Sequence, residues 1–331
     1  MRCLAPKSWR SCSGDSYDRP IPRPIIIDTD PGQDDAVAIL IALASPDELD
    51  VLAINVVAGN VSLDKTVTNA LALVELAGRS DVPVYRGAVR PMVKELVTAE
   101  YVHGPTGLDG ADLPPPAIEA APGHAVDRLV ELLTSRDGPT TVCTLGPLTN
   151  IALALVKEPG ISSKIDQVVM MGGGFFEGGN TTPAAEFNIF VDPHAAHVVF
   201  TSGIPIVMMP LDVTHQALTT PDRLQRFRDL GTPAGDAVAG MLGFYDRHDK
   251  DKYGTEGGPL HDPTVIAYLL SPGLFDGRHV SVEIETAPGP TQGMTLVDWW
   301  GITDGEPNAM VMNEIDDHGF YDLLVERIGR L

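Results

Sequence analysis

Cysteine is scarce in this chain. Cys3, Cys12 and Cys143 are all that 331 residues contain, an odd number without metal-ligand spacing, which argues against a disulfide framework and a zinc site and fits a reducing, cytoplasmic setting. Basic charge is also in deficit, with 23 Lys and Arg against 45 Asp and Glu, a net charge of −22. Nucleic acid and anionic membrane surfaces would be repelled, so neither is an expected partner, and a small neutral or cationic ligand fits better. No apolar run is long enough to span a bilayer. The opening stretch, MRCLAPKSWRSCSGDSYDRPIPRP, has several basic residues but no apolar core, so it does not read as a secretory signal. Residues 1–23 are expected to form a disordered leader, with residues 24–331 as one catalytic domain. There is no internal repeat, and the one biased patch is the triple proline at 114–116.

What the chain does have is acid in an unusual place. Residues 25–36 read IIIDTDPGQDDA, an apolar run ending in four aspartates, Asp28, Asp30, Asp34 and Asp35, with Pro31 and Gly32 forcing a turn among them. Carboxylates this close repel one another unless a cation sits between them, and hard divalent ions such as Ca²⁺ or Mg²⁺ take carboxylate oxygens. The run Ile25-Ile26-Ile27 reads as a strand buried on both faces of a parallel sheet. AVAILIALA after Asp35 reads as a helix, which places Asp34 and Asp35 in its first turn, where the helix dipole favours negative charge. In open α/β sheets ligands bind at that carboxyl end. The plainer alternative makes Asp34 a helix N-cap and the others solvated loop acids.

Strand-like and helical patterns then alternate. Strands are expected at 49–59, 82–87, 140–145, 167–171 and 204–209, and helices at 64–78, 124–135, 149–157, 193–202, 221–230 and 234–250. This is the signature of repeated βαβ units, hence an α/β domain, Rossmann-like, with a mostly parallel central sheet and helices on both faces. A long loop is expected over 89–123. The last third changes character: 279–286, 295–300 and 309–313 are short strands without long helices between them, read as a small antiparallel extension before a closing helix at 318–329.

Polar chemistry gathers after several of these strands, and each case has two readings. Asn60 either occupies a left-handed turn or points its amide into the crevice. His103, in a glycine-rich stretch, is either solvated or faces a ligand. The segment MGGGFFEGGNTTPAAEFN at 171–188 combines three glycines, which let backbone approach a ligand, with Asn180, Glu186 and Asn188, which suit vicinal hydroxyls. Asp262, before Pro263 and an apolar helix, is either that helix's cap or a further metal carboxylate beside the titratable His261. In 243–254, Phe244, Tyr245 and Tyr253 are either core aromatics or stacking groups of a mobile lid over a base.

Taken in order, DTDPGQDDA, VVAGN, HGPTGLDG, LGPLTN, MGGG, AEFN and HDP resemble the inosine–uridine preferring nucleoside hydrolase family, from about residue 24 to the C-terminus. The first motif is highly diagnostic, and the rest gain weight from their order. The resemblance implies calcium-dependent hydrolysis of ribonucleosides to ribose and free base, in nucleoside salvage. It implies one Ca²⁺ held by Asp30, Asp35, Asp262 and the main-chain carbonyl of Leu145, with Asp34 as catalytic base. Asn60, Met171, Asn180, Glu186 and Asn188 are implied around the ribose, His103 near the base, and His261 as leaving-group acid provided that its imidazole titrates near neutrality. Uridine and inosine are the expected substrates, and a homodimer or homotetramer the expected assembly. Two rivals stand beside this reading. A haloacid dehalogenase-type phosphatase also opens with a strand and DxD, but no lysine lies in a matching loop and the acids would repel phosphate. A catalytically silent nucleoside or ribose binder would use the same pocket without turnover.

Overall fold

The computed structural model describes residues 21–253 and 257–331, with the backbone alone for 246–253. Most of the expected leader lies outside the described residues, and of its last three Arg23 already belongs to the first strand. In chain order the strands are β1 (Arg23–Thr29), β2 (Leu49–Val56), β3 (Val84–Arg86), β4 (Ala121–His124), β5 (Thr140–Thr144), β6 (Ile165–Met171), β7 (Ile206–Met209), β8 (Phe275–Val280), β9 (Val282–Ile284), β10 (Thr295–Val297) and β11 (Ala309–Ile315).

Nine of them form one sheet, in the order β4-β3-β2-β1-β5-β6-β7-β11-β8. Every pairing in it is parallel except that of β8 with β11. Side chains of β1 alternate between two separate apolar clusters, Ile25 and Ile27 in one and Ile26 in the other. Helices Gln33–Leu43, Leu63–Leu76, Pro263–Leu270 and Asp317–Ile328 fill the first cluster, and Ala125–Ser135, Thr149–Lys157 and Pro193–Phe200 fill the second. A strand covered on both faces cannot alternate polar and apolar residues, which is why β1 reads as a continuous isoleucine run. All eleven residues of Gln33–Leu43 are buried.

The expected strands and helices are present, with three differences. The 89–123 segment is not structureless, since it holds the short helix Glu100–His103 and β4. The run at 279–286 splits around Ser281: β8 closes the sheet edge antiparallel to β11, while β9 turns away to pair with β10. The third short strand, β11, joins the main sheet parallel to β7 instead of extending the hairpin.

The topology places the site. From β1 the chain builds outward through β2, β3 and β4, then returns to the other side of β1 with β5, β6 and β7. The loops leaving β1 and β5 therefore part company, and a crevice opens at the carboxyl ends of the strands.

Candidate active site

The floor of that crevice is acidic and closed to solvent. Asp28, Asp30, Asp35 and Asp262 are at most 3 % exposed, and Asp34 is 5 % exposed. Oxygens of Asp34, Asp35 and Asp262 all lie within 4.8 Å of one another. Asp35 accepts from Thr29 Oγ1 (2.5 Å), the Gly32 N–H (2.9 Å) and Asn60 Nδ2 (3.1 Å). Asp30 stands beside this group, accepting the Asn60 N–H at 2.7 Å through one oxygen. Its other oxygen is buried without a hydrogen-bond partner, as is one of Asp28. Room for the Asp30 carboxylate exists only because two neighbours lack side chains: a Cβ on Gly59 or Gly146 would lie 2.0 Å from one of its oxygens. These are the glycines of VVAGN and LGPLTN.

Several alternatives resolve here. Gly32, not Asp34, is the N-cap of Gln33–Leu43. Asp262 occupies the cap position of Pro263–Leu270, but its side chain makes no capping bond and joins the acids instead. Among the described residues no non-glycine has positive φ, so Asn60 is not in a left-handed turn. Its amide donates to the Asp30 carbonyl (3.1 Å) and to Asp35.

Burial, then the neighbouring acids, push Asp30 and Asp262 well above the usual carboxylate range. Burial also raises Asp35, and brings Asp28 to about 8 despite a bond from Asn150. Ionising several such groups together without a counter-charge costs several kcal/mol per ion. Orphaned inward oxygens, crowded carboxylates and an all-oxygen donor set fit a hard divalent cation. The Leu145 carbonyl lies next to Gly146 and accepts from Asn188 Nδ2 at 2.8 Å, which leaves its second lone pair available.

Above the acids lies a cleft of about 650 Å³, including its open mouth. Asp34, Asn60, Leu145, Met171, Asn180, Glu186, Asn188 and Asp262 line it together with His103, Tyr245 and His261. Glu186 is buried and caps the helix Phe187–Val191, accepting from the N–H groups of Gly173, Asn188 and Ile189. Burial raises its carboxyl to about 7. The three-glycine run serves the protein rather than the cleft. Gly173, at φ +79°, gives its N–H to Glu186, and Gly174 exchanges bonds with Thr295 Oγ1.

His103 is buried, with Nδ1 2.7 Å from Gln33 Oε1 and its ring 5.5 Å from that of Tyr245. Tyr245 is thus both buried and part of the cleft wall, whereas Phe244 packs at Gly110 and the Tyr253 side chain lies outside the described residues. His261 is held by Thr214 Oγ1 at 2.7 Å from Nδ1. Burial pushes its imidazole well below the usual range, away from the near-neutral titration expected of it.

Residues 25–322 match the family described as inosine-uridine preferring nucleoside hydrolase. A pyrimidine-specific ribonucleoside hydrolase, RihA, of Photobacterium profundum is 49% identical over 93% of this chain and 99% of its own. A plant nucleoside hydrolase superposes with a TM-score of 0.87 at 35% identity, covering 93% of this chain and 99% of the other. A purine-preferring ribonucleoside hydrolase from Gardnerella vaginalis gives 0.86 at 33% identity, over 93% and 98%. The chain belongs to the inosine-uridine preferring nucleoside hydrolase family. It is a ribonucleoside hydrolase, and both the phosphatase and the silent-binder readings fall away.

Some of what this nucleoside hydrolase uses to build the cleft escaped the motif reading. His215 is in the wall, its ring 5.8 Å from that of His261. Thr214 and Gln33 hold the two other histidines. The available signal was positional: LDVTHQ follows β7 at the carboxyl edge of the sheet, as the other site segments follow β1, β2, β5 and β6.

Proposed function

We propose that this enzyme hydrolyses the N-glycosidic bond of ribonucleosides with Ca²⁺ held by Asp30, Asp35, Asp262 and the Leu145 carbonyl, acting in cytoplasmic nucleoside salvage as a homodimer or homotetramer. The observation that carries the reading is a single cleft whose wall combines buried carboxylates and amides with imidazole and phenol groups. The first suit a ribose that becomes oxocarbenium-like, the second a departing base. Calcium bound there would supply a water of lowered pKa and oxygen sites for the ribose 2′- and 3′-hydroxyls.

Asp34 faces the cleft and accepts a proton from the attacking water as its oxygen bonds to C1′. The C1′–N bond breaks and its electron pair stays on the base, which leaves as an anion and is protonated by solvent, to which Asp34 returns the proton it took. Asn60, Met171, Asn180, Glu186 and Asn188 surround the ribose and hold C1′ in line with the water. If Thr214 Oγ1 is the donor in its 2.7 Å bond with Nδ1, the His261 ring carries a proton on Nε2 and hydrogen-bonds the base through it as charge collects there. His103 and Tyr245 stand side by side in the same wall.

Uridine and inosine are the favoured substrates. The family description names both, and the printed name of the Photobacterium relative specifies pyrimidines. Ribose release from uridine, inosine, cytidine, adenosine and guanosine tests this: uridine and inosine should have the highest kcat/KM. Cleavage of guanosine alone, or of none of the five, would overturn it.

A further inference from the structure

Asp28 is the one acid of the opening motif that the proposed mechanism does not use, and it belongs to a different set of polar groups. Asn55 on β2, Asp28 on β1 and Thr144 on β5 occupy paired positions on three adjacent strands. Paired residues of neighbouring strands leave the sheet on the same face. Here it is the face of Ile26 and Val142, covered by the helix Thr149–Lys157. All three side chains are fully buried. Asn150, on that helix, donates from Nδ2 to one oxygen of Asp28 at 3.0 Å and to the Val56 carbonyl at 3.3 Å. Its Oδ1 accepts the Ala88 N–H at 2.8 Å, so the amide is engaged at both ends. Asp28 Oδ1, Asn55 Nδ2, Asn55 Oδ1 and Thr144 Oγ1 are left without a hydrogen-bond partner, and none of the four bonds another.

We propose that Asn55, Asp28 and Thr144 line an internal hydration site, in which ordered water bridges the three side chains. One buried polar atom without a partner is already costly, and a row of four on adjacent strands calls for a shared partner. Neighbouring strands stand about 4.8 Å apart, and these side chains do not bond across that gap. A molecule that bonds two groups at about 2.8 Å each spans it. The row combines an amide donor, two carbonyl-type acceptors and a hydroxyl that can serve as either. Water supplies donors and acceptors together, and it meets Asp28 whichever form the carboxyl takes. A cation would be repelled by the amide N–H and would find three oxygens here, against the about six or more that a hard ion takes. A buried water with about three polar partners is the usual resident of such a place. The position gives the site a purpose. Thr144 immediately precedes Leu145, Asp28 stands two residues before Asp30, and Asn55 four before Gly59. Water bound here braces the roots of the three turns that enclose the acids, and does so independently of which cation or nucleoside the cleft takes.

A crystal structure of the full chain, at a resolution that shows ordered water, tests the site directly. Water density is expected within about 3.2 Å of Asp28 Oδ1 and of Asn55 or Thr144. Direct bonds among these side chains, an empty space between them, or an ion about 2.4 Å from their oxygens would each overturn the proposal. Thr144→Val is a second test, and its sign discriminates, because valine keeps the shape of threonine and removes the hydroxyl. Where the hydroxyl bonds a buried water, its loss leaves that water short of a partner, and the melting temperature should fall by about 2 °C or more. Where the hydroxyl has no partner, its removal relieves an unmet polar group and stabilises the fold. A melting temperature that holds or rises in Thr144→Val would therefore overturn the proposal.

Discussion

Asp34 and Asp35 are neighbours in sequence with different surroundings, and the difference separates their proposed roles. Asp35 is fully enclosed and its carboxylate already accepts from Thr29, Gly32 and Asn60, an arrangement that fixes a ligand in place. Asp34, one position on, faces the cleft, where a group that takes a proton from water must be. Asp34→Ala should therefore lower ribose release from uridine by at least about a hundredfold, the range of a lost general base, while calorimetry still detects ribose binding. Unchanged turnover in that variant would remove Asp34 from the mechanism. His261 is the counter-example, for the sequence shows it next to Asp262 but could not report the burial that lowers the pKa of its imidazole.

At the scale of elements, the turn after β1 works only because two other turns bring glycines against it. Gly59 follows β2 and Gly146 follows β5, the strands on either side of β1. Gly146→Ala should weaken calcium binding by at least about tenfold and lower the melting temperature, because the new Cβ would overlap the Asp30 carboxylate, and displacing a proposed ligand costs a metal site at least as much as displacing the groups that orient its ligands. A calcium titration followed by scanning calorimetry checks it, and unaltered affinity would mean that Asp30 is not a ligand. The strand-turn-helix around these acids was legible because its signals are local: a β-branched run, Pro-Gly, then helix formers. The fate of 279–286 was not, since the choice between the main sheet and a separate hairpin depends on which edge β11 leaves open, and no local residue records that. His215 was illegible for a related reason. LDVTHQ carries no glycine or acid pattern of its own, and Glu177, whose Oε2 lies 3.1 Å from the imidazole Nδ1, comes from another loop.

Across the whole molecule, an acidic chain keeps its most costly acids in one place. Asp28, Asp30, Asp35, Asp262 and Glu186 all have raised pKa values in the folded state. In the metal-stripped protein they retain protons that the unfolded chain sheds above about pH 4. Their contribution to stability is therefore full below that pH and is lost as pH rises through the folded values, about 7 for Glu186 and about 8 for Asp28. Scanning calorimetry of chelator-treated protein should show a melting temperature several degrees lower at pH 8 than at pH 5. Added calcium should recover more of it at pH 8, because binding the cation competes with binding protons. A melting temperature that rises from pH 5 to pH 8 without metal would contradict the cluster's assignment. The most direct measurement is release of free ribose from uridine and inosine by enzyme stripped of metal and then restored with calcium. Ribose should appear with the intact enzyme, fall to background after chelation and return on adding Ca²⁺; ribose release that is indifferent to chelation, or absent from both nucleosides with calcium present, would contradict a calcium-dependent hydrolase built on these acids.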